Sequence, residues 1–183
     1  MDHCFTFHAQ SVVSQDLLLK KNYRNLHQIP KLDRIVLNTG TKSVLDDKKN
    51  LIPNLLTNEL FSGQKATQIQ AKRAVASFYL QKGNWVGWRT TLRCEFMRAF
   101  LSTLVIKVLP STEAFQGFQR TNLDREGNLQ FGLTNPLLFS EIDFHFEPFQ
   151  FTQGMNITIS STAATRSEAK MLFSAFQLPF EAN

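Results

Sequence analysis

The sequence predicts an α+β fold, a mixed, mainly antiparallel sheet with helices packed on it in a single domain. Three observations carry that prediction. Segments of strand-like and helical apolar period mix without the regular alternation of a parallel α/β fold. The 183 residues, 43% of them hydrophobic, suffice to bury a core without disulfide or metal staples. No internal repeat, low-complexity tract or Ser/Gly linker divides the chain.

Residues 1–24 read as an N-terminal extension with a short helix from Asp16 to Arg24, and residues 25–183 as the domain; residues 1–15 carry the weakest signal for order. Pro30 marks a break, because the residue before a proline is pushed from helical angles toward extended ones. Leu32, Ile35, Val36 and Leu37 then make Lys31 to Asn38 a largely buried strand, ending at Gly40. From Leu51 to Phe61 the residues Leu51, Ile52, Leu55, Leu56 and Leu60 form a helical apolar face, with Pro53 tolerable in the first turn and Gly63 placed as a C-terminal cap. Gln64 to Arg73 has little to bury and reads in part as a loop.

The strongest helix runs from Cys94 to Leu109. Phe96, Met97, Phe100, Leu101, Leu104, Val105 and Val108 form its apolar face, Glu95, Arg98, Ser102 and Lys107 its polar stripe, and Pro110 stops it. Asp124 to Asn128 reads as a hairpin turn between Phe118–Leu123 and Leu129–Leu133, with Gly127 in a left-handed conformation. Gly154 to Ser161 alternates as a strand exposed on one face, and Thr165-Arg166-Ser167-Glu168 is a capping box opening a last helix to about Gln177.

Charge narrows the function. Twenty Lys and Arg against fifteen Asp and Glu give +5 and a pI near 9.4, which favours an acidic partner. Seven of the basic residues (Lys65, Lys72, Arg73, Lys82, Arg89, Arg93, Arg98) lie between Lys65 and Arg98 with one acid, Glu95, so that window carries +6 and the rest of the chain −1. The same window holds Phe78, Tyr79, Trp85 and Trp88, the mixture expected where phosphates are neutralised and unpaired bases stacked. Cys4 and Cys94 lack CxxC spacing, and His3, His8 and His27 are scattered, so neither a disulfide framework nor a metal site is expected and a reducing compartment fits. No apolar run reaches the roughly eighteen residues of a membrane span. Residues 1–15 hold no Lys or Arg and an early Asp2, unlike a transit peptide or secretory signal.

Glu141, Asp143, His145 and Glu147 alternate onto one face of any strand they form, above Ile142, Phe144 and Phe146. The pattern resembles an acid–base pair, but no nucleophile, phosphate loop or metal-ligand partner stands elsewhere in the sequence. The reading is an acidic contact surface for a basic protein, with no catalytic residues and no enzyme.

Five collinear segments then carry a resemblance. They are Ile29-Pro30-Lys31 leading to Leu37-Asn38-Thr39-Gly40; Ser62-Gly63-Gln64-Lys65 with Ala71-Lys72-Arg73-Ala74-Val75-Ala76; Gly87 with Thr91-Leu92-Arg93; Asp124 to Asn128; and Glu141-Ile142-Asp143 with Pro148, Ile157-Thr158-Ile159 and Phe176-Gln177-Leu178-Pro179-Phe180. In these the chain from about Ile29 to Phe180 resembles the bacterial-type family of large-subunit ribosomal protein five. The resemblance implies a structural ribosomal protein of the central protuberance that binds 5S ribosomal RNA through Asn38, Gln64, Lys65, Thr91 and Arg93. It implies contact with peptidyl-site tRNA through a loop from Lys72 to Tyr79, carried by Lys72, Arg73, Ser77 and Phe78. It also implies an inter-subunit bridge to a basic small-subunit protein, for which Glu141, Asp143 and Glu147 are the candidates. Large-subunit rRNA and neighbouring large-subunit proteins complete the partners, with no cofactor, metal, membrane or homo-oligomer expected. An extra-ribosomal RNA-binding chaperone or protein-interaction module is the alternative.

The chain departs from the family pattern at Ala66, where Pro is usual, at Ser77 and Cys94, where Gly is usual, and at Tyr79, where a basic residue is usual. These departures, the modest basicity and the divergent first 24 residues resemble a mitochondrial version more than a plastid or bacterial one.

Overall fold

A computed structural model describes residues 8–40, 51–78, 80–112, 115–139 and 153–181. Among them, β1 (Leu32–Gly40), β2 (Thr67–Gln70), β3 (Trp85–Leu92), β4 (Leu129–Leu133) and β5 (Met155–Ser161) form one antiparallel sheet in the order β2-β3-β1-β5-β4. The helices are α1 (Ser14–Lys20), α2 (Leu51–Ser62), α3 (Cys94–Thr103) and α4 (Arg166–Ala175), so the α+β class is as the sequence predicts. The backbone groups into two compact units, one drawn from the described residues of Met1–Ile35, Arg93–Phe131 and Thr158–Asn183, the other from those of Val36–Leu92 and Gly132–Ile157.

In the first unit a π-helical turn, His8–Val13, leads into α1, so helical structure begins well before Asp16. Val13 and Leu17, four residues apart on one face, are buried. The helix ends at Lys20 and not at Arg24. Lys21 turns extended, and its ammonium reaches the Glu168 carboxylate at 2.9 Å as α1 packs on α4. Tyr23 has its hydroxyl buried beside this pair; burial first, then the Glu168 charge, raise its pKa.

Helix α3 buries Met97, Phe100 and Leu101 as expected, but Phe96 of the expected face is 49% exposed and Ser102 of the expected polar stripe is buried, its hydroxyl donating to the Ala99 carbonyl at 2.8 Å. Helical structure also passes Pro110, through a π turn at Leu104–Val108 and a last turn at Leu109–Ser111. There the Ser111 and Thr112 hydroxyls donate to the Lys107 and Val108 carbonyls at 2.7 and 2.8 Å, supplying partners in the turn where the proline has no N–H.

Cys94 opens α3 at φ +51°, a left-handed conformation that crowds a Cβ and that glycine adopts freely. The glycine usual at this position in the resembled family thus has a physical reason. Cys94→Gly is expected to raise stability by roughly 0.5–1 kcal/mol, read as a higher urea midpoint; an unchanged or lower midpoint would contradict the strain assigned to this residue.

The turn at Asp124–Asn128 forms as expected, with the Asp124 N–H on the Asn128 carbonyl at 2.8 Å and Gly127 at φ +80°. Its first arm is not a strand. Phe118 instead makes a parallel bridge with Phe180, exchanging hydrogen bonds with Pro179 and Glu181, and Arg120–Asn122 is a 3-10 turn closed by Gln119 and Asn122. Only Leu123 bridges across to Leu129. The Thr165 hydroxyl caps α4 by accepting the Glu168 N–H at 3.4 Å. At the other end Gln177 takes φ +62°, the Leu178 N–H returns to the Phe173 carbonyl at 3.1 Å, and both of those apolar side chains are buried.

In the second unit α2 has the expected span and its Gly63 cap at φ +60°; Leu55 of the expected face packs inward against Ala66 and Trp88, but most of the inward side is polar. Asn54, Thr57, Asn58 and Ser62 are buried, whereas Ile52, Leu56 and Leu60 are 61%, 40% and 42% exposed. Each buried polar residue has a partner. The Asn58 amide donates to the Thr39 hydroxyl at 2.7 Å and to the Asn54 carbonyl at 3.2 Å, the Asn54 side chain accepts the Gln153 N–H at 3.0 Å, and the Thr57 hydroxyl donates to the Pro53 carbonyl at 2.8 Å. Phe61, also inward, stacks on Phe139 with ring centroids 4.0 Å apart.

Candidate nucleic-acid interface

Alternation along β1 and β3 sets up a polar sheet face. On β1, Leu37 and Thr39 are buried and Asn38 is exposed between them; on β3, Trp88, Thr90 and Leu92 are buried while Arg89 is exposed and Thr91 half-buried. The two strands are hydrogen-bonded neighbours. At Gly87 they approach so closely that a Cβ would overlap the Thr39 carbonyl oxygen and lie 3.3 Å from the Gly40 Cα. Asn38, Arg89 and Thr91 therefore stand on the same, outward side of adjacent strands.

Strand β2 extends this face. It pairs antiparallel with β3, Thr67 opposite Arg89 and Ile69 opposite Gly87. Ala66 is buried against Trp88, so Lys65 and Thr67, both exposed, alternate to the outward side. The segment before β2 is held from within: the Ser62 hydroxyl donates to the Gln64 carbonyl at 2.9 Å and accepts the Gln64 N–H at 3.2 Å, and the Glu59 carboxylate accepts the Ala66 N–H at 3.3 Å. Gln64 is half-buried in that turn. The stretch from Gln64 to Arg73, expected in part as a loop, holds an edge strand at Thr67–Gln70 between the turn at Gln64 and the start of the arm.

An arm from Ala71 to Asn84 links β2 to β3. Its root is closed by the Ala71 N–H on the Asn84 carbonyl at 2.9 Å and the Gly83 N–H on the Ala71 carbonyl at 3.0 Å, and Val75 and Leu80 bridge farther out. The tip is a 3-10 turn, Ala76–Phe78. Lys72, Arg73, Ser77 and Lys82 are exposed on it. No Asp or Glu occurs in the sequence between residues 60 and 94, so the arm and strands β2 and β3 carry positive charge without an acid of their own.

Not every expected residue joins this face. Arg93 belongs to the first unit, where its guanidinium meets the Asp33 carboxylate at 3.3 Å with both side chains about half exposed. Asp33 also meets Arg34 at 3.5 Å. Exposed pairs of this kind are weak and exchange readily with a phosphate. Glu141, Asp143, His145, Glu147 and Tyr79 lie outside the described residues. Arg89 is part of the basic window but not of the expected RNA-binding set; its spacing of two residues from Thr91 is the signal that places it on this face. Among the described residues no group of three His, Cys, Asp or Glu side chains could hold a metal ion, and no helix is long and apolar enough to cross a membrane.

Comparison with known proteins yields one consistent result. A sequence profile for the C-terminus of the ribosomal protein L5 family matches residues 85–180. The large ribosomal subunit protein uL5m of Reclinomonas americana is 39% identical over 172 residues, covering 94% of this chain and 94% of that protein. The uL5 proteins of Ruthia magnifica and Borreliella burgdorferi are 41% identical over 157 residues (86% of this chain, 87% of theirs) and 35% identical over 174 residues (95% and 94%).

Proposed function

Because this chain belongs to the ribosomal protein L5 family, whose members are structural and non-enzymatic, we propose that it builds the large subunit of a mitochondrial ribosome and binds 5S rRNA in the central protuberance. The observation that carries this reading is the outward face of β1 and β3 with the turn before β2. It offers Asn38, Gln64 and Thr91 as hydrogen-bonding groups beside the cations Lys65 and Arg89. Polar side chains fixed on strands read bases or sugars, while lysine and arginine neutralise phosphate. Arg93 adds a phosphate contact by exchanging its Asp33 partner. The uL5m relative favours the mitochondrial assignment, and bacterial uL5 proteins are similarly alike.

In the same reading the arm contacts peptidyl-site tRNA through Lys72, Arg73, Ser77 and Phe78, and Glu141, Asp143 and Glu147 bridge to a basic small-subunit protein. Binding of the full chain to a 5S rRNA transcript is expected to weaken steeply with salt as counterions are re-bound. Asn38→Ala or Gln64→Ala should weaken it by about 1–3 kcal/mol, the penalty for an unpaired polar group in an interface. Replacing Lys72 and Arg73 by Gln should leave 5S affinity near the parent's and reduce tRNA occupancy of reconstituted ribosomes. Equal effects of both sets on 5S binding would refute this division. Salt-independent binding, or loss of the protein from large subunits sedimented at high salt, would refute the ribosomal 5S role and favour an extra-ribosomal module.

A further inference from the structure

Two tryptophans three residues apart should point to opposite faces of a regular strand. In β3 they do not, because the register shifts by one residue: Ile69 faces Gly87, but the next residue of β2, Gln70, faces Trp85, leaving Val86 as the extra residue of a β-bulge. The bulge rotates Trp85 to the side of Trp88, and the two indoles meet with centroids 6.1 Å apart at 56°. Their fates then diverge. Trp88 is 2% exposed against Ala66 and Leu55, whereas Trp85 is 44% exposed.

The surroundings of Trp85 fit one class of partner. It stands at the root of the arm, next to Asn84, whose carbonyl helps close that root, and Lys72, Arg73 and Lys82 are the exposed charged residues of the arm. The sequence from residue 60 to 94 supplies no acid to oppose them. A large ring held from behind by a buried second ring is a preformed platform, and cations beside it attract phosphate. We propose that Trp85 stacks an unpaired RNA base at the root of the arm, a contact separate from the hydrogen-bonding face of Asn38 and Thr91. The proposal rests on the RNA-binding reading above and adds to it the class of ligand, a single-stranded nucleotide. Trp88 is the support of this platform and not a part of it.

The chain has two tryptophans, so Trp88→Phe leaves Trp85 as the sole indole reporter. The full-length variant is titrated with a short oligoadenylate and, in parallel, with a blunt RNA duplex of the same length. Oligoadenylate is expected to quench the Trp85 emission by about half or more, and the duplex to leave it unchanged. Trp85→Ala in the otherwise unaltered chain should weaken oligoadenylate binding about tenfold, keep the salt slope because no charge is removed, and regain most of the affinity as Trp85→Phe. Should Trp88→Phe not fold, the difference in quenching between the parent and Trp85→Phe gives the same readout. Parent protein that binds oligoadenylate while Trp85 emission stays constant, or Trp85→Ala that binds as tightly as the parent, overturns the platform and leaves the RNA-binding reading standing. Absence of binding to oligoadenylate, duplex and 5S transcript alike overturns both.

Discussion

Gly87→Ala is expected to lower the stability of the protein by roughly 3 kcal/mol, a large share of the total for a domain of this size. The added Cβ would overlap the Thr39 carbonyl oxygen and press on the Gly40 Cα, and both are backbone atoms that cannot rotate aside. Strand β3 would have to draw away from β1, weakening the ladder between them. Gly40→Ala is the internal control, since nothing among the described residues lies within 4 Å of a Cβ there. Urea unfolding followed by far-UV circular dichroism should show a much lower midpoint for Gly87→Ala and little change for Gly40→Ala. Equal midpoints for the two variants would show that the strands tolerate separation. Because Asn38 and Thr91 ride on these two strands, Gly87→Ala should also weaken 5S rRNA binding under conditions where it remains folded.

The second large effect concerns the inward polar face of α2. Asn58→Ala removes the partner of the buried Thr39 hydroxyl and leaves a void in a fully enclosed site, so a loss of about 3 kcal/mol is expected. Asn58→Leu separates the two contributions. It refills the volume and also removes the Asn58 side-chain oxygen, which has no hydrogen-bond partner among the described residues, while still stranding the Thr39 hydroxyl. Its loss should be clearly smaller than that of Asn58→Ala, and pairing it with Thr39→Val should recover most of the parent's stability, because removing both partners of a buried hydrogen bond costs less than removing one. Thermal or urea denaturation of the three variants decides the matter. An Asn58→Ala protein as stable as the parent would mean that the amide pair contributes nothing.

Several features were legible in the sequence because each depends on neighbours in the chain. The Thr165 cap, the Gly63 stop, the turn at Asp124–Asn128, the position of β1 and the alternation of β5 all follow from local backbone preference or a short apolar period, although β1, expected to be largely buried, exposes Asp33, Arg34 and Asn38. The clustering of positive charge from Lys65 to Arg98 and the ordered motifs of the family were also present in the linear order of residues. So were the individual polar residues Asn38, Gln64 and Thr91.

The tertiary structure decided what depends on residues distant in sequence. Hydrophobic periodicity assigns Ile52, Leu56 and Leu60 to the core, but the core side of α2 is fixed by amide contacts to Thr39 and Gln153, residues 19 and 99 positions away. The first arm of the expected hairpin lost its strand because the C-terminal segment at Phe180 pairs with Phe118. Arg93 acquired the Asp33 carboxylate as a partner across 60 positions. Trp85 and Trp88, equivalent in the sequence as aromatic residues of a basic window, became a surface ring and a core ring because pairing with β2 inserts a bulge at Val86. The physical reason is common to all four. Local sequence sets which conformations and charges are available, whereas hydrogen-bond partners and strand register are chosen among distant segments, and that choice determines which side of an element meets water.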